Sequence, residues 1–239
     1  MKHKISSYFS KFEIILWSSS VMTIILSYIL FDSNDSLTLI SSLIGSTFLI
    51  LNAKGNVWGQ ILTLVFSILY GIISYSTSYY GEMITYLCMT APIAFASIIT
   101  WIKNPARKGK NEVKVNSLSK KEYALMSLLS LLVSFVFYFI LRALGTAELV
   151  LSTVSVLTSF AASYLTMRRS KYFAIAYASN DVVLIIMWTI ASFNDTRYVS
   201  VIICFAVFLI NDLYGYANWS KMKKSQEKAQ SGIVNHQSA

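Results

Sequence analysis

The chain has 239 residues, of which 55% are hydrophobic and only 13% charged, and its mean hydropathy is +0.57. A soluble domain carries roughly a quarter charged residues, so this much apolar surface requires lipid around it and excludes a water-soluble core. The net charge of +9 lies in loops between apolar runs, without the basic helix or aromatic platform used for nucleic acid, so no nucleic-acid partner is expected.

Apolar runs near the roughly 20 residues needed to cross a bilayer recur from end to end, and they predict helices over 13–31, 37–53, 57–76, 83–102, 123–142, 147–166, 172–192 and 198–219. The first run follows Lys2, Lys4 and Lys11 as a signal peptide would, but it is long, rich in Ile and Leu, and leads into Asp32 and Asp35 without a small-residue cleavage site. It is read as a retained anchor. The remaining residues form short turns, apart from a basic loop over 103–121 and a polar tail from 220 onward, whose last eight residues, ending at Ala239, are expected to be disordered. The expected class is therefore an all-α integral membrane protein of eight spans, forming one domain over 1–222 with a polar tail over 223–239.

Of the 20 Lys and Arg residues, 18 fall in the N-terminus, the turn at Lys54, the 103–121 loop, the turn at Arg168, Arg169 and Lys171, and the tail. Arg142 and Arg197 alone fall on the other side, with Asp32, Asp35, Glu82, Glu148 and Asp195. Under the positive-inside rule this places both termini in the cytoplasm.

A faint repeat relates helices two to four (37–102) to helices six to eight (147–219). Trp58 and Tyr172 open the two middle helices about 114 residues apart, and the closing pair Trp101 and Trp219 lie about 118 apart. Four helices separate the copies, so both run the same way through the bilayer, and helix five becomes a connector in a 3+1+3 parallel repeat with an added N-terminal helix.

Ionisable and amide groups inside lipid are costly and mark pathways or binding sites. Asn180-Asp181 lies midway along helix seven and Asn211-Asp212 in the inner half of helix eight, at similar depth. The asparagines offer amides to a polar, mostly uncharged ligand and an aspartate pairs with a hydroxyl-rich or cationic group, so Asn180, Asp181, Asn211 and Asp212 are all candidate substrate-binding residues. Since neighbouring residues on a helix diverge by about 100°, site duty is weighted to the asparagines and structural duty to Asp181 and Asp212. Gln60, Thr85, Tyr86 and Thr90 add polar groups from the first repeat, Tyr177 and Trp188 offer rings near Asn180, and Tyr70 is the comparable ring of helix three. Pro92 interrupts the bonding of helix four, where a cavity or bend is expected. Gly55-xxx-Gly59 permits close helix approach.

Nothing points to an enzyme. Nucleophile-elbow, zinc-protease, phosphate-loop and dinucleotide patterns are missing from the sequence. His3 and His236 sit at opposite ends, and Cys88 and Cys204 lie within apolar runs, so no metal ligand set, cofactor site or disulfide framework can be built.

Several stretches then align with a known pattern: Lys54-Gly55, Tyr70-Gly-Ile-Ile-Ser-Tyr75, Tyr79-Tyr80-Gly81-Glu82-Met83, Pro92 and Trp101-Ile-Lys-Asn104 in the first half. In the second half they are Ser152-Thr-Val-Ser-Val-Leu157, Leu165-Thr-Met-Arg-Arg169, Asn180 to Trp188, and Asn211-Asp-Leu-Tyr-Gly-Tyr216 with Trp219. Together, over residues 37–222, the chain resembles the PnuC family of vitamin transporters. The resemblance implies uptake of nicotinamide riboside by facilitated diffusion across the bacterial cytoplasmic membrane, with trapping by a cytoplasmic kinase. It also implies a homotrimer and a fold related to the SWEET sugar transporters.

Asn180 and Asn211 match substrate-contacting positions of that family. Ala176, Phe66 and Ala94 stand where its pattern has Trp, Asn and Gln. Tyr177 and Gln60 are candidates to supply the missing ring and amide. These departures leave thiamine, riboflavin and deoxynucleosides open as substrates, together with a membrane receptor that binds without transporting and a proton-coupled carrier using Asp181.

Overall fold

The computed structural model describes residues 8–32, 35–107 and 111–237, with side chains as far as residue 231. His3 and the side chain of His236 lie outside the described residues. Among those residues there are eight helices long and apolar enough to cross a membrane.

We number them α1 (Lys11–Phe31), α2 (Ser36–Ala53), α3 (Val57–Ser76), α4 (Tyr80–Lys103), α5 (Lys120–Ala143), α6 (Leu149–Met167), α7 (Phe173–Ser192) and α8 (Val199–Gln237). The ends agree with the sequence-based ranges to within about three residues, except at the end of α8. There the polar segment expected as a loose tail continues the helix, because no glycine or proline interrupts the chain between Gly215 and Gly232. Gln226, about two turns beyond the apolar part, accepts from the Val115 amide at 2.9 Å and donates to the Val113 carbonyl at 3.1 Å, pinning the basic loop across this face. The expected disorder of the last eight residues falls on 232–239, whose side chains lie outside the described residues.

Contacts between helices follow a ring. α2, α3 and α4 pack in sequence, α4 meets α6, then α6, α7 and α8 follow, and α8 returns to α2. α1 lies outside this ring against α2 and α8, and α5 lies outside against α6 and the start of α4. The connector and the extra N-terminal helix therefore occupy matching places.

Local chemistry repeats the match. Both outer helices begin with a capping box, Ser10 with Glu13 and Ser119 with Glu122, in which serine and glutamate satisfy each other's backbone amides. Glu13 then pairs with Lys54 after α2, and Glu122 pairs with Arg168 after α6. The next residue in each turn takes a left-handed conformation, Gly55 at φ 62° and Arg169 at φ 56°. Trp101 of α4 donates its indole N–H to the Thr166 carbonyl at 3.0 Å, and Trp219 of α8 donates to the Asn52 carbonyl at 2.8 Å. The two indoles meet with centroids 5.5 Å apart, closing the basic face of the ring.

Two expectations about backbone have direct counterparts. At Gly59 an added Cβ would strike the Asn52 side chain, so the glycine lets α3 approach α2 closely. Pro92 opens the straight segment Ala91–Lys103 of α4, and the turn before it, Thr85–Thr90, is widened into a π-helix. Proline has no N–H to give and crowds the carbonyl four residues back, and a widened turn accommodates both.

Candidate functional site

Inside the ring, midway between its ends, lies a cavity of about 30 Å³. Five helices line it: α2 with Phe48, Leu49 and Asn52, α3 with Thr63 and Phe66, α4 with Tyr86 and Thr90, α7 with Phe173, Tyr177, Asn180 and Asp181, and α8 with Phe208 and Asp212. The α7 residues share one helix face, since positions separated by three and four residues stack. The π-turn carries Tyr86 and Thr90 to the wall. At this volume the cavity has room for about two waters.

Asn180 is the best-fixed polar group on the wall. Its Oδ1 accepts hydrogen bonds from Ser155 at 3.1 Å, Thr158 at 2.8 Å and Ser159 at 3.0 Å, all from α6. Three donors on one oxygen hold the amide rigidly and leave Nδ2 without a protein acceptor among the described residues. Tyr177, one turn away, has its hydroxyl 3.3 Å from Ser163 Oγ.

Asp181 and Asp212 face each other across the α7–α8 seam within hydrogen-bonding reach, and both line the cavity. The sequence reading names Asn180, Asp181, Asn211 and Asp212 all as candidate binding residues, with the structural share weighted to the two aspartates. Here the division differs: Asn180, Asp181 and Asp212 all reach the chamber, and Asn211 does not. Asn211 donates from Nδ2 to Ser20 Oγ of α1 at 3.0 Å and to the Val207 carbonyl at 2.8 Å. The step of about 100° between consecutive helical residues turns Asp212 inward and Asn211 toward the α1 seam.

Gln60 also stands behind the wall. Its Nε2 donates to Asn52 Oδ1 at 2.9 Å, while Asn52 Nδ2 donates to Thr63 Oγ1 at 3.1 Å. Gln60 thereby orients the amide that does line the chamber. Thr85 is fully buried but off the wall, with its hydroxyl unpartnered. Trp188 caps the chamber rather than lining it, donating its indole N–H to the Tyr70 hydroxyl at 2.9 Å. Tyr79 adds a second tie there, donating to the Met187 carbonyl at 3.2 Å. On the basic face, Trp101, Phe173 and Trp219 form the opposing plug.

Sequence reasoning missed Asn52, Phe48, Phe173 and Phe208 as wall residues, and treated Phe66 only as a departure from a family pattern. An isolated ring in an apolar helix looks like packing. Asn52 sits near a helix end, where amides ordinarily cap, and its eight-residue separation from Gln60 across the Gly55 turn was the available signal.

Residues 35–221 match the family described as nicotinamide mononucleotide transporter. Among characterised relatives, the chain is 26% identical over 198 residues to the nicotinamide riboside transporter PnuC of Neisseria mucosa, covering 81% of this chain and 75% of that one. It is 24% identical over 226 residues to the protein of the same name from Haemophilus influenzae, covering 94% and 96%. Among solved structures, that of the vitamin B3 transporter PnuC has the same fold, with a TM-score of 0.80 at 23% identity over 91% of this chain and 94% of that one.

Proposed function

The chain belongs to the nicotinamide mononucleotide transporter family, and from that premise we propose that it is a carrier that takes up nicotinamide riboside across the bacterial cytoplasmic membrane. The observation that carries this reading is the small chamber between the two halves, with Asn180 held by α6 and its donor unused, and with two acids and six aromatic rings on its wall. A flat heterocycle stacks on such rings, and a carboxamide or ribose hydroxyl complements the free Nδ2. The two curated relatives bear the same substrate in their names.

The carrier works by facilitated diffusion. The α2–α4 and α6–α8 bundles rock about the chamber, releasing either the Tyr70–Trp188 cap or the Trp101–Trp219 plug, with the π-turn before Pro92 as the compliant segment. Both termini lie in the cytoplasm on this reading, which the clustering of Lys and Arg on one face supports. Phosphorylation of the substrate by a cytoplasmic kinase keeps it from leaving, and the chain works as a homotrimer; both statements rest on the family resemblance.

Purified protein reconstituted in liposomes should admit radiolabelled nicotinamide riboside down its gradient, with saturation and without added energy. Binding in detergent without any flux would replace this reading with that of a receptor.

A further inference from the structure

The acids Asp181 and Asp212 are each 5% exposed, lie in hydrogen-bonding contact, and have no basic side chain among the described residues set against them. Their surroundings are Tyr86 of α4, Tyr177 of α7 and Cys204 of α8, none of which offers a positive charge. Two carboxyl groups this close and this dry cannot both be ionised, so they hold at least one proton between them, and the other carboxyl keeps its charge only with a cation beside it. A single buried charge without a counterion is costly, and the open side of the pair is the chamber.

Two unpartnered atoms point to what occupies that space. Asp181 Oδ2 has no hydrogen-bond partner, and Asn180, 1% exposed, has its Nδ2 donor free on the same wall. The wall thus presents a carboxyl pair without a base and one amide donor, flanked by the rings of Tyr177, Tyr86 and Phe208.

We propose that the Asp181–Asp212 pair is the charge filter of the chamber, selecting ligands with a single delocalised positive charge over neutral ligands of the same shape. The inference rests on the carrier reading above and makes it sharper: the pyridinium ring of nicotinamide riboside supplies the charge that the pair lacks, while uncharged nucleosides leave the pair uncompensated.

The test uses two compounds that differ by one ring atom, nicotinamide riboside and benzamide riboside, in which carbon replaces the charged nitrogen. Affinities are measured by calorimetry on the wild-type protein, on Asp181→Asn and Asp212→Asn singly and together, and on Glu82→Gln. Glu82 is a fully buried acid away from the chamber wall, so its variant reports general loss of buried charge. The wild type should bind the cation at least tenfold more tightly than the neutral compound. The double change Asp181→Asn with Asp212→Asn should erase most of that ratio by weakening the cation alone, whereas each single change leaves one carboxyl to carry the charge, and Glu82→Gln should preserve the ratio.

Equal affinity of the wild type for the two compounds overturns the charge filter while leaving the carrier reading intact, and this comparison needs no variant to fold. Persistence of the preference in the double Asp→Asn protein also overturns it. Failure of the wild type to bind either compound removes the carrier reading for this substrate, and the filter with it.

Discussion

Trp188 of α7 and Tyr70 of α3 are joined by a 2.9 Å hydrogen bond from the indole N–H to the phenol oxygen, and with it the two halves are tied together above the chamber. Both side chains are almost completely buried, at 0% and 3% exposure, so water cannot replace the bond while the cap is closed. A buried neutral hydrogen bond contributes about 1 kcal/mol net, and loss of that amount shifts a closed-to-open equilibrium about fivefold. Tyr70→Phe should therefore raise the population open at this end by about that factor. Labelling of a cysteine placed beside the cap, followed over time, measures it; unchanged labelling would show that the bond does not hold the cap.

Asn180 and Asn211 should separate cleanly in experiment. Asn180→Ala removes the only rigid amide donor aimed into the chamber from α7, and binding of nicotinamide riboside should fall below detection in a thermal-shift titration, because a ligand stabilises only the state it binds. Asn211→Ala instead removes the tie to Ser20. It should cost about 0.6–2 kcal/mol of stability, the range for interhelical hydrogen bonds in membranes, and leave affinity within twofold.

The two matched ion pairs differ in burial, and their loss should differ accordingly. Lys54 Nζ lies 3.0 and 3.1 Å from the Glu13 oxygens, and the Glu13 side chain is 3% exposed and also accepts from the Tyr214 hydroxyl. Lys54→Ala strands that carboxylate, and the roughly 3–5 kcal/mol seen when a buried pair loses one partner is an upper bound on the cost. Arg168 and Glu122 are far more open to water, so Arg168→Ala should change unfolding little. Melting temperatures of the two variants, measured side by side in one detergent, check the order.

Arg169 follows the cation that pairs with Glu122 as Gly55 follows the cation that pairs with Glu13, and both adopt positive φ. A side chain in the left-handed region costs roughly 1–2 kcal/mol. Arg169→Gly should thus raise the melting temperature in spite of the greater freedom glycine gives the unfolded chain, and a lower value would mean that the guanidinium contributes more than the backbone loses.

The order of the helices, their ends and the face that carries the basic residues could be read from the sequence, because a bilayer demands long apolar runs and sorts charge by side. So could the residues Asn180, Asp181, Asp212, Tyr86 and Tyr177 as groups that do not belong in lipid. Which of two adjacent polar residues looks inward could not be read, since it depends on how α8 is rotated between α1 and α7. Packing settled that rotation and sent Asn211 to Ser20 and Asp212 to the chamber. The equivalence of α1 and α5 was hidden for a related reason: their apolar residues diverge freely against lipid. What they share are a capping serine, a glutamate and a cation that becomes a neighbour only after the chain has folded.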